Sequence, residues 1–250
     1  MQFIPDNMPR YIDGWHSPSL NKHMEIVTYG TYGPALLLLP TAAADYLEYE
    51  RFFLIKALEK FIMEGKFKVF SVNSINSESW LNSKMHPPHK GIRHNQFNSY
   101  IYNEVVPYIK NATSQETPIY VSGASLGALH SMNLFLKRPD LINGVIAMSG
   151  DYDLTSYTKG HWDDSVYFNS PKHYMENMPE GHLLNQIRSS NHIHIFTGSG
   201  DYESPNQSRY FSALLNHKGI KHDLDVWGPD MHHDWPTWRV MLPYILESRF

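Results

Sequence analysis

Gly123-Ala124-Ser125-Leu126-Gly127 sets a serine between glycines two residues away on either side. A serine hydroxyl is a weak nucleophile until a neighbouring base takes its proton. Around this one, the local order favours chemistry. Pro118-Ile119-Tyr120-Val121-Ser122 reads as a strand, and a helix is predicted from Leu126 onward. A serine on a sharp strand-to-helix turn projects its hydroxyl above the sheet. Flanking glycines let the chain double back without side-chain collisions. The helix start adds free backbone N–H groups and a positive dipole end, both suited to an oxyanion. The bland alternative is a serine capping a helix inside a glycine-bounded turn. With a strand before it and a helix after it, the nucleophile is the better reading.

Such a serine needs a base and an acid, which in chain order follow it as acid and then histidine. The chain has 15 histidines, so only position discriminates. After a strand predicted over 221–227 comes Gly228-Pro229-Asp230-Met231-His232-His233-Asp234-Trp235, which offers His232 and His233. The preceding strand, predicted over 192–197, runs into Gly198-Ser199-Gly200-Asp201-Tyr202-Glu203, which carries two carboxylates. Asp201 could instead cap the helix that starts near Ser204, since aspartate is a common cap.

The elements that must position these groups alternate in type. A hairpin is predicted over 10–16 and 23–29, turning through Ser17-Pro18-Ser19. Ala35-Leu36-Leu37-Leu38-Leu39 is an unbroken apolar run between Pro34 and Pro40, as expected of a strand buried on both faces. Helices are predicted over 46–64, 96–111, 126–137, 204–218 and 235–246, and strands over 67–72, 118–122, 144–148, 192–197 and 221–227. This alternation implies stacked βαβ units. The expected class is α/β: a mostly parallel central sheet with helices on both faces and an N-terminal antiparallel hairpin. With the serine turn, that describes the α/β-hydrolase fold. No repeat or linker divides the chain, so residues 1–250 read as a single domain. Two long loops, 73–95 and 151–181, interrupt the regular pattern, and loops at the carboxyl ends of strands usually build the binding crevice.

Composition limits the partners. At 250 residues with 42% hydrophobic and 18% charged residues, the chain can bury a sizeable core. A formal net charge of −4 with no basic stripe argues against nucleic acid and anionic membrane as partners. There is no cysteine, which excludes disulfides, thiolate catalysis and cysteine-ligated zinc. No apolar run approaches a membrane helix, and residues 1–14 lack the apolar segment of a secretory signal. A soluble, cytoplasmic protein acting on a small ester is expected, with no cofactor and no metal. His86-Pro87-Pro88-His89 lacks the carboxylate spacing of a metal site and reads as a polar surface loop.

Taken together, these residues resemble the esterase D-like group of α/β hydrolases, which includes S-formylglutathione hydrolases, feruloyl esterases, siderophore esterases and mycolyltransferases. His233-Asp234-Trp235 with Trp238 is similar to the group's G-H-D-W-x-x-W segment, in which the histidine before Asp-Trp is catalytic. The resemblance therefore implies His233 rather than His232. Gly198-Ser199-Gly200-Asp201 resembles the G-x-x-D segment that supplies the acid, implying Asp201 rather than Glu203. His232 stands where the group carries glycine, and Pro40-Thr41-Ala42-Ala43-Ala44 stands where many members have His-Gly and small residues.

The expected activity is thus serine esterase chemistry through Ser125, His233 and Asp201 with an acyl-enzyme intermediate. Backbone N–H groups of Leu126 and Ala42, with Thr41 as the alternative to Ala42, would bind the oxyanion. An acyltransferase would use the same triad, and a non-catalytic hydrolase-like binding protein would keep only the scaffold. Thr41, Trp80, His94 and Trp162 are candidate substrate contacts. The aromatics of 151–181 would either line a pocket or pack as a satellite core.

Overall fold

The computed structural model describes residues 3–250. Among the described residues, eight strands form one sheet: β1 (Arg10–Ser17), β2 (Lys22–Tyr29), β3 (Ala35–Leu39), β4 (Lys68–Val72), β5 (Ile119–Ala124), β6 (Gly144–Met148), β7 (His192–Thr197) and β8 (Asp223–Val226). Their order is β1-β2-β4-β3-β5-β6-β7-β8. The hairpin β1–β2 joins β4 antiparallel, and every pairing from β4 onward is parallel. This is the α/β-hydrolase architecture.

β3 explains why an unbroken apolar run sits at the centre. All five of its residues are buried. Leu36 and Leu38 face one layer, packed with α2 (Leu54–Ala57) and α11 (Trp235–Arg249), while Leu37 and Leu39 face the other with Phe97, Met132 and Phe135. A side-chain period of two between two helix layers requires apolar residues at every position.

Two of the predicted helices depart from expectation. The segment 46–64 is not one helix but three short ones: α1 (Glu48–Arg51), α2 and α3 (Glu59–Met63). Phe53 takes φ 62° between the first two, a left-handed conformation that breaks the i to i−4 ladder. The helix predicted to begin at 96 begins earlier, as α4 (Pro87–Tyr100), and runs through a π turn, Ile101–Val105, into α5 (Val106–Ala112). Proline at the first helical positions loses no intrahelical hydrogen bond, so the His-Pro-Pro segment starts the helix rather than forming a loop. The first long loop is shortened accordingly.

The nucleophile helix is α6 (Leu126–Lys137), buried from Leu126 to Leu136. The second loop contains α7 (Asp164–Tyr167) and α8 (Pro171–Glu176), and α9 (His182–Arg188), which the sequence did not announce, follows. Of the loop's aromatics, Tyr152 and Tyr174 join the main core, whereas Trp162 and Phe168 are exposed. α10 (Pro205–His217) and α11 complete the chain; α11 continues through Pro243. No helix among the described residues is long and apolar enough to cross a membrane.

Candidate active site

Ser125 takes φ 58° and ψ −124° at the junction of β5 and α6, a sparsely populated conformation costing about 1–3 kcal/mol. The surroundings hold it there. The Ser125 N–H donates to the Met148 carbonyl at 3.0 Å, and the Ser125 carbonyl accepts the N–H of Ala128 at 3.0 Å. Both glycines are required by close approach. A Cβ on Gly123 would lie 2.4 Å from the Gly127 carbonyl carbon, and one on Gly127 would lie 2.4 Å from the Leu39 oxygen. The turn is therefore built by the sheet packing directly beneath the helix start.

His233 lies between β8 and α11 and lines the same cleft as Ser125, a space of about 70 Å³. Its backbone N–H donates to the Asp201 carbonyl at 3.0 Å. Its ring stands edge-on to Trp238, with centroids 5.2 Å apart. Nδ1 is buried and faces Glu203 Oε2 at 3.6 Å, with the Glu203 side chain only 1% exposed. No other carboxylate among the described residues comes within 4.0 Å of His233.

Glu203 is held by hydroxyls on both oxygens. Ser149 Oγ donates to Oε1 at 2.5 Å, and Thr197 Oγ1 donates to Oε2 at 3.0 Å. Ser149 Oγ in turn accepts the Trp238 indole N–H at 2.9 Å, so Trp238 packs on the histidine and braces the acid together. Burial pushes the Glu203 carboxyl up, but the imidazole of His233 3.6 Å away and the hydroxyls of Ser149 and Thr197 outweigh it. The net shift is below the usual value of 4.5.

That arrangement corrects the expectation for Asp201. Its side chain is 83% exposed, with the carboxylate 3.7 Å from His232 Nδ1 rather than near His233. The reason is local. Tyr202 takes φ 63°, and the Glu203 N–H closes a turn onto the Gly200 carbonyl at 3.2 Å. This reversal swings Asp201 outward and Glu203 inward. His232 staples the outer side of the corner, its Nδ1 accepting the Asp201 N–H at 2.9 Å. Spacing alone could not separate two carboxylates two residues apart. The readable signal was the pair of hydroxyl residues, Ser149 and Thr197, closing β6 and β7.

A carboxylate held below its ordinary value contributes stability that is complete above that value. The contribution is lost as pH falls through the lower, folded-state value. Glu203→Gln is therefore expected to flatten the acid limb of stability. Its Tm should decline less than that of the unaltered protein between about pH 5 and about pH 3. Parallel declines in thermal melts would contradict the charged, hydrogen-bonded state assigned to Glu203.

Leu126 is the first residue of α6, so its N–H has no intrahelical acceptor. The other expected donors differ in availability. The Thr41 N–H donates to Glu48 Oε2 at 2.8 Å and its hydroxyl to Oε1 at 2.6 Å. Thr41 is thereby committed, and is corrected both as the alternative oxyanion donor and as a substrate contact. Burial raises the Glu48 pKa despite the bonds from Thr41. Ala42 is exposed on the loop after β3, with its carbonyl accepting from Ser74 Oγ at 2.7 Å and Asn76 Nδ2 at 3.1 Å.

Three other candidate contacts also move. Trp80 is 2% exposed and His94 fully buried, joined by a hydrogen bond from Nε1 to Nδ1 at 3.0 Å; neither can touch a substrate. Their aromatic and imidazole rings needed partners from distant helices to be recognised as core. Trp162 is exposed, packs edge-on to Tyr167 and His173, and is not one of the residues lining the cleft. The sequence reading missed Asp151, Tyr157 and Tyr202, which do line it. Burial pushes the Asp151 carboxyl up, and nearby Asp153 adds to that although its N–H bond opposes it. No group of three or more His, Cys, Asp or Glu side chains among the described residues could hold a metal ion.

A model of the Putative esterase family matches residues 69–248. No curated protein matches the chain. Among solved structures, a ferulic acid esterase is similar at 17% identity and a TM-score of 0.75, over 96% of this chain and 98% of its own. The apoenzyme of an S-formylglutathione hydrolase from Staphylococcus aureus is similar at 17% identity and a TM-score of 0.67, over 97% and 98%. A ferulic acid esterase from Anaeromyces mucronatus, in complex with ferulic acid, is similar at 14% identity and a TM-score of 0.71, over 97% and 91%. At these identities the likeness is one of fold.

Proposed function

The chain belongs to the Putative esterase family and is a carboxylic ester hydrolase, and from that premise we propose a two-step serine mechanism. The observation that carries it is the strained Ser125 turn sharing one small cleft with His233, which is backed by the buried Glu203. His233 takes the Ser125 proton as Oγ attacks the ester carbonyl. The oxyanion is held by the Leu126 and Ala42 N–H groups. Collapse breaks the bond to the alcohol, which leaves with the proton from His233. Water, deprotonated by the same imidazole, then attacks the acyl-serine, and the carboxylic acid departs as Ser125 regains its proton. Glu203 keeps Nδ1 protonated and stabilises the imidazolium, the part expected from the sequence of Asp201.

Glu203 fits that part because its negative charge is secured by two hydroxyl donors, Ser149 and Thr197, before catalysis begins. A pre-arranged carboxylate needs no reorganisation when the imidazolium forms.

The intermediate has a direct consequence. Esters that share an acyl group but differ in their alcohol must pass through one acyl-enzyme. With methanol added as a competing nucleophile, the ratio of methyl ester to free acid should be the same for each of them. A ratio that changes with the leaving alcohol would contradict a common intermediate.

A further inference from the structure

Behind the cleft lies a buried chain of polar side chains that the proposed mechanism leaves unused. Trp80 Nε1 donates to His94 Nδ1 at 3.0 Å. His94 Nε2 meets His130 Nδ1 at 3.0 Å, and His130 Nε2 meets Asn76 Oδ1 at 2.8 Å. Asn76 Nδ2 then donates to the Ala42 carbonyl at 3.1 Å. All four side chains are at most 3% exposed.

Direction follows from the first link. An indole nitrogen can only donate, so His94 Nδ1 carries no proton and its Nε2 does. That proton points at His130 Nδ1, which leaves the His130 proton on Nε2, aimed at the Asn76 oxygen. The amide then presents its N–H to Ala42. Every link has one donor and one acceptor, and both rings are neutral. Burial pushes the His130 pKa down to about 3 and that of His94 well below its usual value, with neighbouring His130 contributing. Asn133 Nδ2 approaches His94 Nε2 only at 3.4 Å and donates to Asn169 Oδ1 at 3.0 Å instead.

We propose that this relay sets the oxyanion site: Asn76 and His130 are positioning residues that fix the Ala42 loop relative to the nucleophile helix. The inference rests on the mechanism proposed above. The oxyanion donors come from two elements, the loop after β3 and the start of α6, and both must lie 2.7–3.1 Å from one oxygen. His130 sits on α6, five residues after Ser125, and reaches the Ala42 carbonyl through Asn76 alone. The bridge therefore spans the two donor-bearing elements. Trp80 and His94 hold the His130 tautomer that makes the bridge possible. A fully satisfied buried network of this kind is rigid, which suits a site that must not reorganise during the reaction. Ser74 Oγ donates to the same carbonyl at 2.7 Å and accepts the Asn76 backbone N–H at 3.0 Å, so it is a second tether tied to the same bridge.

Asn76→Asp tests this with little change in volume. It keeps an acceptor for His130 but turns an oxygen toward the Ala42 carbonyl. Activity should be measured on an ester and on the matching thionoester, per active site titrated with a fluorophosphonate. Sulfur is larger and accepts hydrogen bonds weakly, so a well-set oxyanion site favours the oxygen ester. The variant is expected to lose roughly 10- to 100-fold in kcat on the ester, with a smaller loss on the thionoester. Ser74→Ala, at a partly exposed site, should shift the same ratio in the same direction by less, and it decides the matter if Asn76→Asp does not fold. A merely structural role would lower both substrates together. An unchanged ratio in Ser74→Ala and in folded Asn76→Asp, with Ser125→Ala inactive, would overturn the relay and leave the serine mechanism standing. Ester hydrolysis that persists in Ser125→Ala would overturn both.

Discussion

Alanine at Ser125 or at His233 is expected to lower kcat for ester hydrolysis by roughly 10⁴- to 10⁶-fold, and the double variant should be little worse than either single one. The size follows from what each group does. Without Ser125 there is no attacking oxygen on the strained turn, and without His233 nothing removes its proton. Because the two act on one proton, losing the second after the first costs little more. The residual rate would come from the oxyanion donors and substrate binding. KM should change much less than kcat, because Ser125 and His233 act mainly in the transition state. Both variants should fold. Ser125→Ala keeps a non-glycine residue at φ 58° and so inherits the strain that serine already carries there; thermal melts alongside the kinetics check that it folds. Losses that multiplied in the double variant would show that serine and histidine work independently, contrary to the mechanism.

The second large effect separates the two carboxylates of one corner. Glu203→Gln is expected to lower kcat by roughly 10²- to 10⁴-fold, because the imidazole loses the partner that sets its tautomer and stabilises its charge. Asp201→Asn should leave kcat within about threefold, as surface substitutions away from a site usually do. The contrast is built into the geometry: one side chain is 1% exposed and faces His233, the other is 83% exposed and faces His232. Replacing Glu203 also leaves the Ser149 and Thr197 hydroxyls without their charged acceptor, so some loss of stability should accompany the loss of rate. A large fall in Asp201→Asn, with Glu203→Gln nearly unaffected, would place the acid outside the buried corner and contradict this assignment.

The sequence made the parallel sheet and the serine turn legible because their signals are local. β3 announces its double burial through five consecutive apolar residues. Gly123 and Gly127 flag a backbone approach that only glycine permits. What stayed hidden depended on single backbone angles or distant partners. Phe53 at φ 62° cuts an apparently continuous helix, and Tyr202 at φ 63° decides which carboxylate turns inward. Neither residue type advertises a left-handed conformation. Trp80 and His94 look like polar loop contacts until His130, on α6, supplies the hydrogen-bond partner that lets them be buried. Thr41 likewise looks free until Glu48 occupies both its N–H and its hydroxyl.

The central claim, that Ser125 is the residue acylated in catalysis, is tested most directly by locating a covalent adduct. The protein should be treated with a fluorophosphonate, digested, and its peptides analysed by mass spectrometry. The account predicts one adduct per chain, on Ser125, formed in step with the loss of esterase activity and absent from Ser125→Ala. An adduct on another residue, or full activity in protein fully modified at Ser125, would contradict it.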